Sequence, residues 1–426
     1  MRGQNTWDSY ANDVTEASFL AAARSVRDTF LPFGYSTVTV DGGWSTTAAG
    51  AVVMDAFGRP WPDVAKFPSA SSGAGLRPIS DAVHAMGLKM GAWVVRGVPV
   101  EAVQANLPIA GSAFHARDAI RLDKNCTWDV SLVATNAPSA AATAWYEALA
   151  AHFVEMGVDF VKADCMWPAA VNGTPFDDDV VAFSAAFERV APQIVISWSP
   201  GDGMTVGNGS FIAAHGGRWG RLYRVTPDFH ESWPALAHHL DVAAEFAPLI
   251  GANGTYPDLD MLSLGRQAPD GHPTAFTRDE QRLMVSLWVI ARAPLIIGAR
   301  LPLDAGDDFT LSLLTNAAVL AVQNGTHGNA PVPAVLPPGD GGDALYAWRA
   351  AYDGSGEAVV ALFNARDAEA TLGAAVPGGG CALNLWTGAA EGDITGGVLS
   401  RTLPPHSAGL WAVFPTCGDA VPGAAE

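Results

Sequence analysis

Val158-Asp-Phe-Val-Lys162-Ala-Asp164-Cys-Met-Trp167 decides the fold. It holds an apolar run of strand length that ends in Lys162 and Asp164. Lys162 and Asp164 are two residues apart, so as parts of a strand they share one face. An apolar run of this kind belongs in a parallel sheet covered on both faces, and in a parallel barrel the catalytic groups sit at the C-terminal strand ends.

The pattern repeats on either side of this stretch. Upstream, Ala17 to Phe30 has helical spacing and leads into Thr37-Val-Thr-Val-Asp41, a β-branched strand that also ends in an acid. Ile79 to Met86 then reads as helix, Lys89 to Val95 as strand and Ala140 to Met156 as helix. Downstream, Val180 to Val190 reads as helix and Ile194 to Trp198 as strand. Strands alternating with helices mean an α/β protein. Neither a GxGxxG nor a GxxxxGK[ST] phosphate loop is present, which favours a closed (β/α)8 TIM barrel over a nucleotide-binding open sheet. Periodicity by itself does not separate the two.

After about Gly328 the character changes: Pro331, Pro333, Pro337 and Pro338 lead into a Gly-rich tract and helical periodicity stops. Ala344 to Ala350, Ala358 to Asn364 and Gly409 to Phe414 then run apolar between turn signals, the pattern of an antiparallel β-sandwich. The expected organisation is a catalytic barrel over 1–328 and a C-terminal β-sandwich domain over 329–426. A chain of 426 residues accommodates both.

The chain carries 24 Lys+Arg against 43 Asp+Glu, a formal charge of −19. That balance repels phosphate backbones and anionic lipid heads, so neither nucleic acid nor a membrane surface is an expected partner. A neutral substrate is compatible with it. The longest apolar stretch, Leu287 to Ile297, is too short to span a bilayer. The ten His show no HExxH and the four Cys no CxxC, so no metal and no cofactor is expected. Gly-x-Ser-x-Gly is also absent, which sets aside a serine hydrolase.

Five glycosylation sequons, at Asn125, Asn172, Asn208, Asn253 and Asn324, are more than 13 asparagines would supply by chance. They favour a secreted, vacuolar, lysosomal or cell-wall glycoprotein, although four read Asn-Gly, which is also a turn dipeptide. No apolar signal segment follows Met1. Cys381 and Cys417 both fall in the C-terminal region, as a disulfide or as two buried thiols.

Asp41, Asp164 and Ser197 to Ser199 are the polar residues that end apolar runs. A lysine beside a carboxylate keeps it ionised, as a nucleophile requires, so Lys162-Ala-Asp164 is a candidate catalytic pair; a salt bridge closing the barrel mouth is the other reading. Arg224-Val-Thr-Pro-Asp228-Phe-His-Glu-Ser-Trp233 supplies a second carboxylate. Two carboxyls, one ionised and one protonated, are what retaining glycoside hydrolysis uses. His230 and Glu231 are alternative acids in the same loop.

Taken in order from about Thr6 to Gly328, these segments resemble glycoside hydrolase family 27, the melibiase-type α-galactosidases. Trp7-Asp-Ser-Tyr is similar to the family's opening tryptophan motif, and Val38-Thr-Val-Asp41-Gly-Gly-Trp44 to its strand ending in Asp-Asp-Cys-Trp. Asp63-Val-Ala-Lys-Phe-Pro68, Gly87-Leu-Lys-Met-Gly91, Tyr256-Pro-Asp258-Leu-Asp260-Met-Leu262 and the helix from Ser286 to Leu295 follow the family's further motifs. The resemblance implies Asp164 as nucleophile, from Lys-x-Asp, and Asp228 as acid/base, from Arg-x-x-x-Asp. It implies Trp7, Asp41, Lys162, Ser197 and Arg224 as residues binding a carbohydrate with a terminal galactose or related sugar. Asp258 and Asp260 take supporting roles, and Cys126 is the implied disulfide partner of Cys165.

Two departures bear on the sugar. The second acid of the family's adjacent pair is Gly42 here, and Ser197-Trp-Ser-Pro-Gly201 stands where the family often has Cys-Glu-Trp. Hydrolysis of terminal α-galactosides is therefore the expectation. The alternatives are the same machinery on a β-L-arabinopyranoside or an α-glucan, and a carbohydrate-binding relative without catalysis.

Overall fold

The structure, a computed structural model, describes residues 1–166, 177–200, 204–216, 220–353, 357–376, 380–394 and 396–415. Trp167, Asn172, Gly201 and Cys417, singled out in the sequence, lie outside the described residues.

Eight parallel strands form one curled sheet: β1 Arg2–Asn5, β2 Thr37–Val40, β3 Lys89–Val95, β4 Phe160–Asp164, β5 Val195–Ser199, β6 Gly220–Arg224, β7 Tyr256–Asp258 and β8 Leu295–Ile297. Their order in the sheet is β8-β1-β2-β3-β4-β5-β6-β7. Leu262, just past β7, pairs in parallel with Ile297 of β8, which closes the ring. Helices follow the strands in chain order: α1 Glu16–Ser25, α2 Arg77–Ala85, α3 Ala140–Glu155, α4 Asp177–Val190, α5 Val206–Gly216, α6 Trp233–Phe246, α7 Arg278–Ile290 and α8 Asp308–Thr315. This is the (β/α)8 barrel expected from the sequence.

Local chemistry sets the helix starts. Thr15 and Ser18 form a capping box on α1, and Ser139 and Ser232 accept from the third residues of α3 and α6. Thr277 caps α7 by taking the Glu280 N–H while Glu280 reaches back to the Thr277 N–H. The sheet is covered on both faces, and every residue of β2 is buried.

Strand register places the site. Trp93 of β3 pairs with Lys162 of β4, and Lys162 pairs with Ser197 of β5. Asp164 pairs with Ser199, and Arg224 of β6 with Asp258 of β7. The polar residues that end these apolar strands therefore lie side by side at one rim.

The C-terminal strands are antiparallel: β9 Thr326–Val332, β10 Leu345–Tyr352, β11 Ala358–Asn364, β12 Ala370–Ala375, β13 Gly380–Asn384, β14 Ala390–Ile394, β15 Val398–Leu403 and β16 Ser407–Phe414. Six form a sheet in the order β9-β10-β11-β16-β13-β14, and β12 pairs with β15. Leu345, Val360, Leu362, Leu372, Leu399 and Trp411 pack into its core. Each such side chain contributes about 1.5 to 3 kcal/mol of hydrophobic stabilisation.

By contact density the chain divides into two units. One comprises Met1–Asp228, Gly251–Pro273 and Ile296–Asp304; the other comprises Phe229–Ile250, Thr274–Leu295 and Ala305–Glu426. The second unit thus holds α6 and α7 together with the antiparallel strands. Within it Trp386 donates its indole N–H to Ser286 of α7, 3.0 Å away.

Candidate active site

The site is built on the C-terminal ends of the barrel strands. Asp41, one residue past β2, is buried and accepts three donors. Asn5 Nδ2 lies 2.6 Å and Lys162 Nζ 2.9 Å from its Oδ2, and the Gly42 N–H lies 2.8 Å from its Oδ1. Thr6 Oγ1 accepts the backbone N–H of Asp41 at 2.9 Å. Burial works against the Lys162 charge, but the carboxylates of Asp41 and Asp164 outweigh it and hold the ammonium above its ordinary range.

Asp164, half-buried at the end of β4, takes its hydrogen bonds elsewhere. Trp93 Nε1 donates to Oδ2 at 2.9 Å, and the Cys165 N–H donates to Oδ1 at 2.7 Å. Burial pushes its carboxyl above the usual range, while Lys162 and these two donors pull it back. Cys165 has φ +56°, the left-handed region that a non-glycine residue adopts only when its surroundings hold it. Its side chain is bonded to Cys126, the pairing the resemblance implied. Among the described residues no cysteine is free.

Arg224, at the end of β6, is buried and forks between two acids. Its Nη2 lies 3.0 Å from Asp228 Oδ1 and 2.8 Å from Asp260 Oδ2. Its Nε and Nη1 are buried without a hydrogen-bond acceptor. Asp228 is 62% exposed at its side chain. Asp258, opposite Arg224 in register, accepts the Asp260 N–H at 2.9 Å, and burial pushes its carboxyl up to about 6.

Lys162, Ser197, Arg224, Asp258, Asp260, Asn5 and Thr39 line one cavity together with Phe160, Leu222, Met261 and Ile296. Its walls carry donors, acceptors and charges of both signs, as recognition of a polyhydroxylated ring demands. Trp7 donates its backbone N–H to Asn5 Oδ1 at 2.8 Å and packs its ring on Gly42: a Cβ at residue 42 would sit 2.8 Å from Trp7 Cζ3.

The structure thus brings Lys162, Ser197 and Arg224 around one cavity, with Asp41 bonded to Lys162, Asp164 ending β4 and Asp228 in the loop four residues past β6. Lys162 does not hydrogen-bond Asp164, as the sequence pairing suggested; its partner is Asp41. Sequence reasoning did not single out Asn5 or the half-buried Asp8, whose carboxyl is pushed far up by desolvation and the neighbouring Asp260. Asn5 ends a strand, Arg2–Asn5, that is itself polar, so the rule of a polar residue closing an apolar run did not reach it. Among the described residues no group of three or more His, Cys, Asp or Glu could hold a metal ion, and no helix is long and apolar enough to cross a membrane.

No protein-family model matches the chain. The α-galactosidase of Oryza sativa subsp. japonica is 24% identical over 424 residues, covering 97% of this chain and 84% of that protein. The crystal structure of a family 27 β-L-arabinopyranosidase from Geobacillus stearothermophilus superposes with a TM-score of 0.89 at 30% identity, over 98% of this chain and 97% of that one. A variant of that enzyme in complex with arabinose gives a TM-score of 0.88. Together with the strand-end carboxylates and the rim they share, this likeness over nearly the whole chain shows that the protein is a glycoside hydrolase acting on O-glycosyl bonds and belongs to glycoside hydrolase family 27.

Proposed function

We propose that the chain is a retaining exo-glycosidase that removes a terminal galactose-configured sugar by double displacement. Asp164 attacks the anomeric carbon as Asp228 protonates the departing glycosidic oxygen. Asp228 then takes a proton from water, which cleaves the glycosyl–Asp164 ester and releases the sugar with its anomeric configuration retained. Lys162, Asp41, Ser197 and Arg224 hold the ring hydroxyls, and Trp7 gives its face to the ring. The observation that carries this reading is the contrast between the two acids. Asp164 is gripped by Trp93 and Cys165 donors that favour the ionised form, while Asp228 stands open to water on the arm of Arg224.

Terminal α-galactosides are the substrate the family motifs favour. The packing of Trp7 on Gly42 favours a second reading, a β-L-arabinopyranoside. That sugar has the ring stereochemistry of α-D-galactopyranose without the hydroxymethyl group, so it needs no second acid at position 42. The 30% identical structure carries that activity in its name.

The chain is further proposed to comprise a catalytic barrel over 1–328 and a sandwich domain over 329–426. The Cys126–Cys165 bond and the sequons support maturation in an oxidising, secretory compartment. The test is hydrolysis of paired p-nitrophenyl α-D-galactoside and β-L-arabinopyranoside, with the product anomer followed by NMR and Asp164→Asn assayed alongside. Retention with loss of turnover in the variant, by a factor on the order of 10³ or more, is expected. An inverted product, or an active variant, would overturn the mechanism, and the ratio of the two kcat/KM values decides the sugar.

A further inference from the structure

A buried ion pair lies directly behind the nucleophile turn. The Arg96 side chain is fully buried, and Arg96 follows β3, whose last residue, Val95, pairs with Asp164. Its guanidinium reaches three separate segments. Nε donates to the carbonyl of Cys165 at 3.0 Å, Nη2 to the carbonyl of Lys124 at 2.7 Å, and Nη1 to Asp179 Oδ2 at 3.0 Å. The Arg96 backbone N–H also donates to the Asp164 carbonyl at 3.0 Å. Asp179, in the first turn of α4, is fixed in turn: the hydroxyls of Tyr146, at 2.7 Å, and Thr135 both donate to its Oδ1.

We propose that Arg96, braced by Asp179, is a positioning residue for Asp164. It fixes the left-handed backbone of Cys165 so that the Cys165 N–H stays on the nucleophile's Oδ1. The inference rests on the reading of Asp164 as nucleophile. Arg96 touches neither the sugar cavity nor the Asp164 carboxylate, so it acts through Cys165. The disulfide anchors only the Cys165 side chain, through Cys126. The peptide between Cys165 and Met166 is held at both of its polar atoms: the Met166 N–H donates to the Ser199 carbonyl at 3.3 Å, and Arg96 Nε is the donor found on the Cys165 carbonyl. Its second arm, on Lys124, holds the segment two residues before Cys126. One guanidinium thus fastens both sides of the disulfide. A buried pair is weak evidence for stability, because burying two charges offsets much of their attraction. Placement of a reacting group is a stronger reason for a planar fork at this position.

The experiment compares wild type, Arg96→Lys, Tyr146→Phe and Asp164→Asn on whichever aryl glycoside the wild type cleaves, reading kcat, KM, the pH profile and Tm. Lysine keeps the charge opposite Asp179 but cannot span three acceptors in one plane. Arg96→Lys is expected to lower kcat by about 10- to 100-fold with KM within about twofold. It should also move the acid limb of kcat/KM to higher pH, because the Cys165 donor no longer favours the ionised carboxylate. Tyr146→Phe, which loosens Asp179 and leaves the guanidinium in place, should lower kcat by about two- to fivefold in the same direction. A folded Arg96→Lys protein with wild-type kcat and acid limb, altered only in Tm, overturns the proposal. Should Arg96→Lys not fold, a wild-type kcat and acid limb in Tyr146→Phe overturns it equally. An active Asp164→Asn protein removes the nucleophile reading itself, a result distinct from either.

Discussion

The ammonium of Lys162 lies 2.9 Å from Asp41 Oδ2, across two strands of the barrel rim, and makes no hydrogen bond to the Asp164 carboxylate two residues on. Donor and acceptor are thereby held together at the edge of the cavity before any sugar arrives, an arrangement suited to one hydroxyl that donates to Asp41 and accepts from Lys162. Asn5 and the Gly42 N–H keep the carboxylate from turning. In Asp41→Asn the amide NH2 would meet one of these donors and the lysine would lose its counter-charge. With two charge-assisted hydrogen bonds affected, kcat/KM should fall by about 10²-fold or more, measured on an aryl glycoside. A variant within about threefold of wild type would show that Asp41 does not engage the sugar.

Trp93 tunes the nucleophile. Burial raises the Asp164 carboxyl, and the Lys162 charge, the Trp93 N–H and the Cys165 N–H each counter it. Activity of the free enzyme requires the ionised form, so kcat/KM falls as pH drops through this pKa. Trp93→Phe keeps the ring and removes the donor, so the pKa rises and the acid limb moves to higher pH, by about one unit for a hydrogen bond to a charged group. An acid limb at the wild-type position would show that the 2.9 Å contact does not favour the ionised form.

Gly42 reports on the sugar. A side chain there meets the Trp7 ring at 2.8 Å, so Gly42→Asp alone must displace the tryptophan ring. The expected result is loss of activity on both p-nitrophenyl β-L-arabinopyranoside and α-D-galactoside, by about tenfold or more, as the sugar platform moves. Activity on the galactoside gained without a second change at Trp7 would show that the position tolerates the acid and that glycine is not what shapes specificity.

The barrel was legible because parallel strands buried on both faces leave apolar runs, and Asp41 and Asp164 were legible because each ends such a run or follows one, whereas Arg224 was legible from its spacing to Asp228. The partners of these residues were not. Lys162 meets Asp41 from 121 positions away, and Arg96 meets Asp179 from 83 positions away, so both pairs depend on barrel closure and strand register. Within the sequence, Lys162 was read against the acid nearest in number. Arg96 too follows an apolar strand, but nothing in its own segment marks the acid that it meets. The grouping of α6 and α7 with the antiparallel strands was also hidden, since an amphipathic repeat records that a face is buried and not what buries it.

Asp258 links the site to stability. Its carboxyl is pushed up to about 6, first by burial and then by Asp260, against the pull of Arg224 and the Asp260 N–H. A folded-state pKa above the unfolded value means the native state binds the proton more tightly. This contribution is therefore fully present below about pH 4, the unfolded range, and is lost as pH rises through about 6. Asp258→Asn keeps an oxygen for the Asp260 N–H and removes the ionisation. Relative to the variant, the wild type should lose about 2 to 3 kcal/mol of unfolding free energy between pH 4 and pH 7, the worth of a shift of about two units. Denaturant unfolding of both proteins across that range gives the difference directly. A difference that stays constant with pH would mean that Asp258 titrates alike in the folded and unfolded chains, and that Arg224 offsets its burial in full.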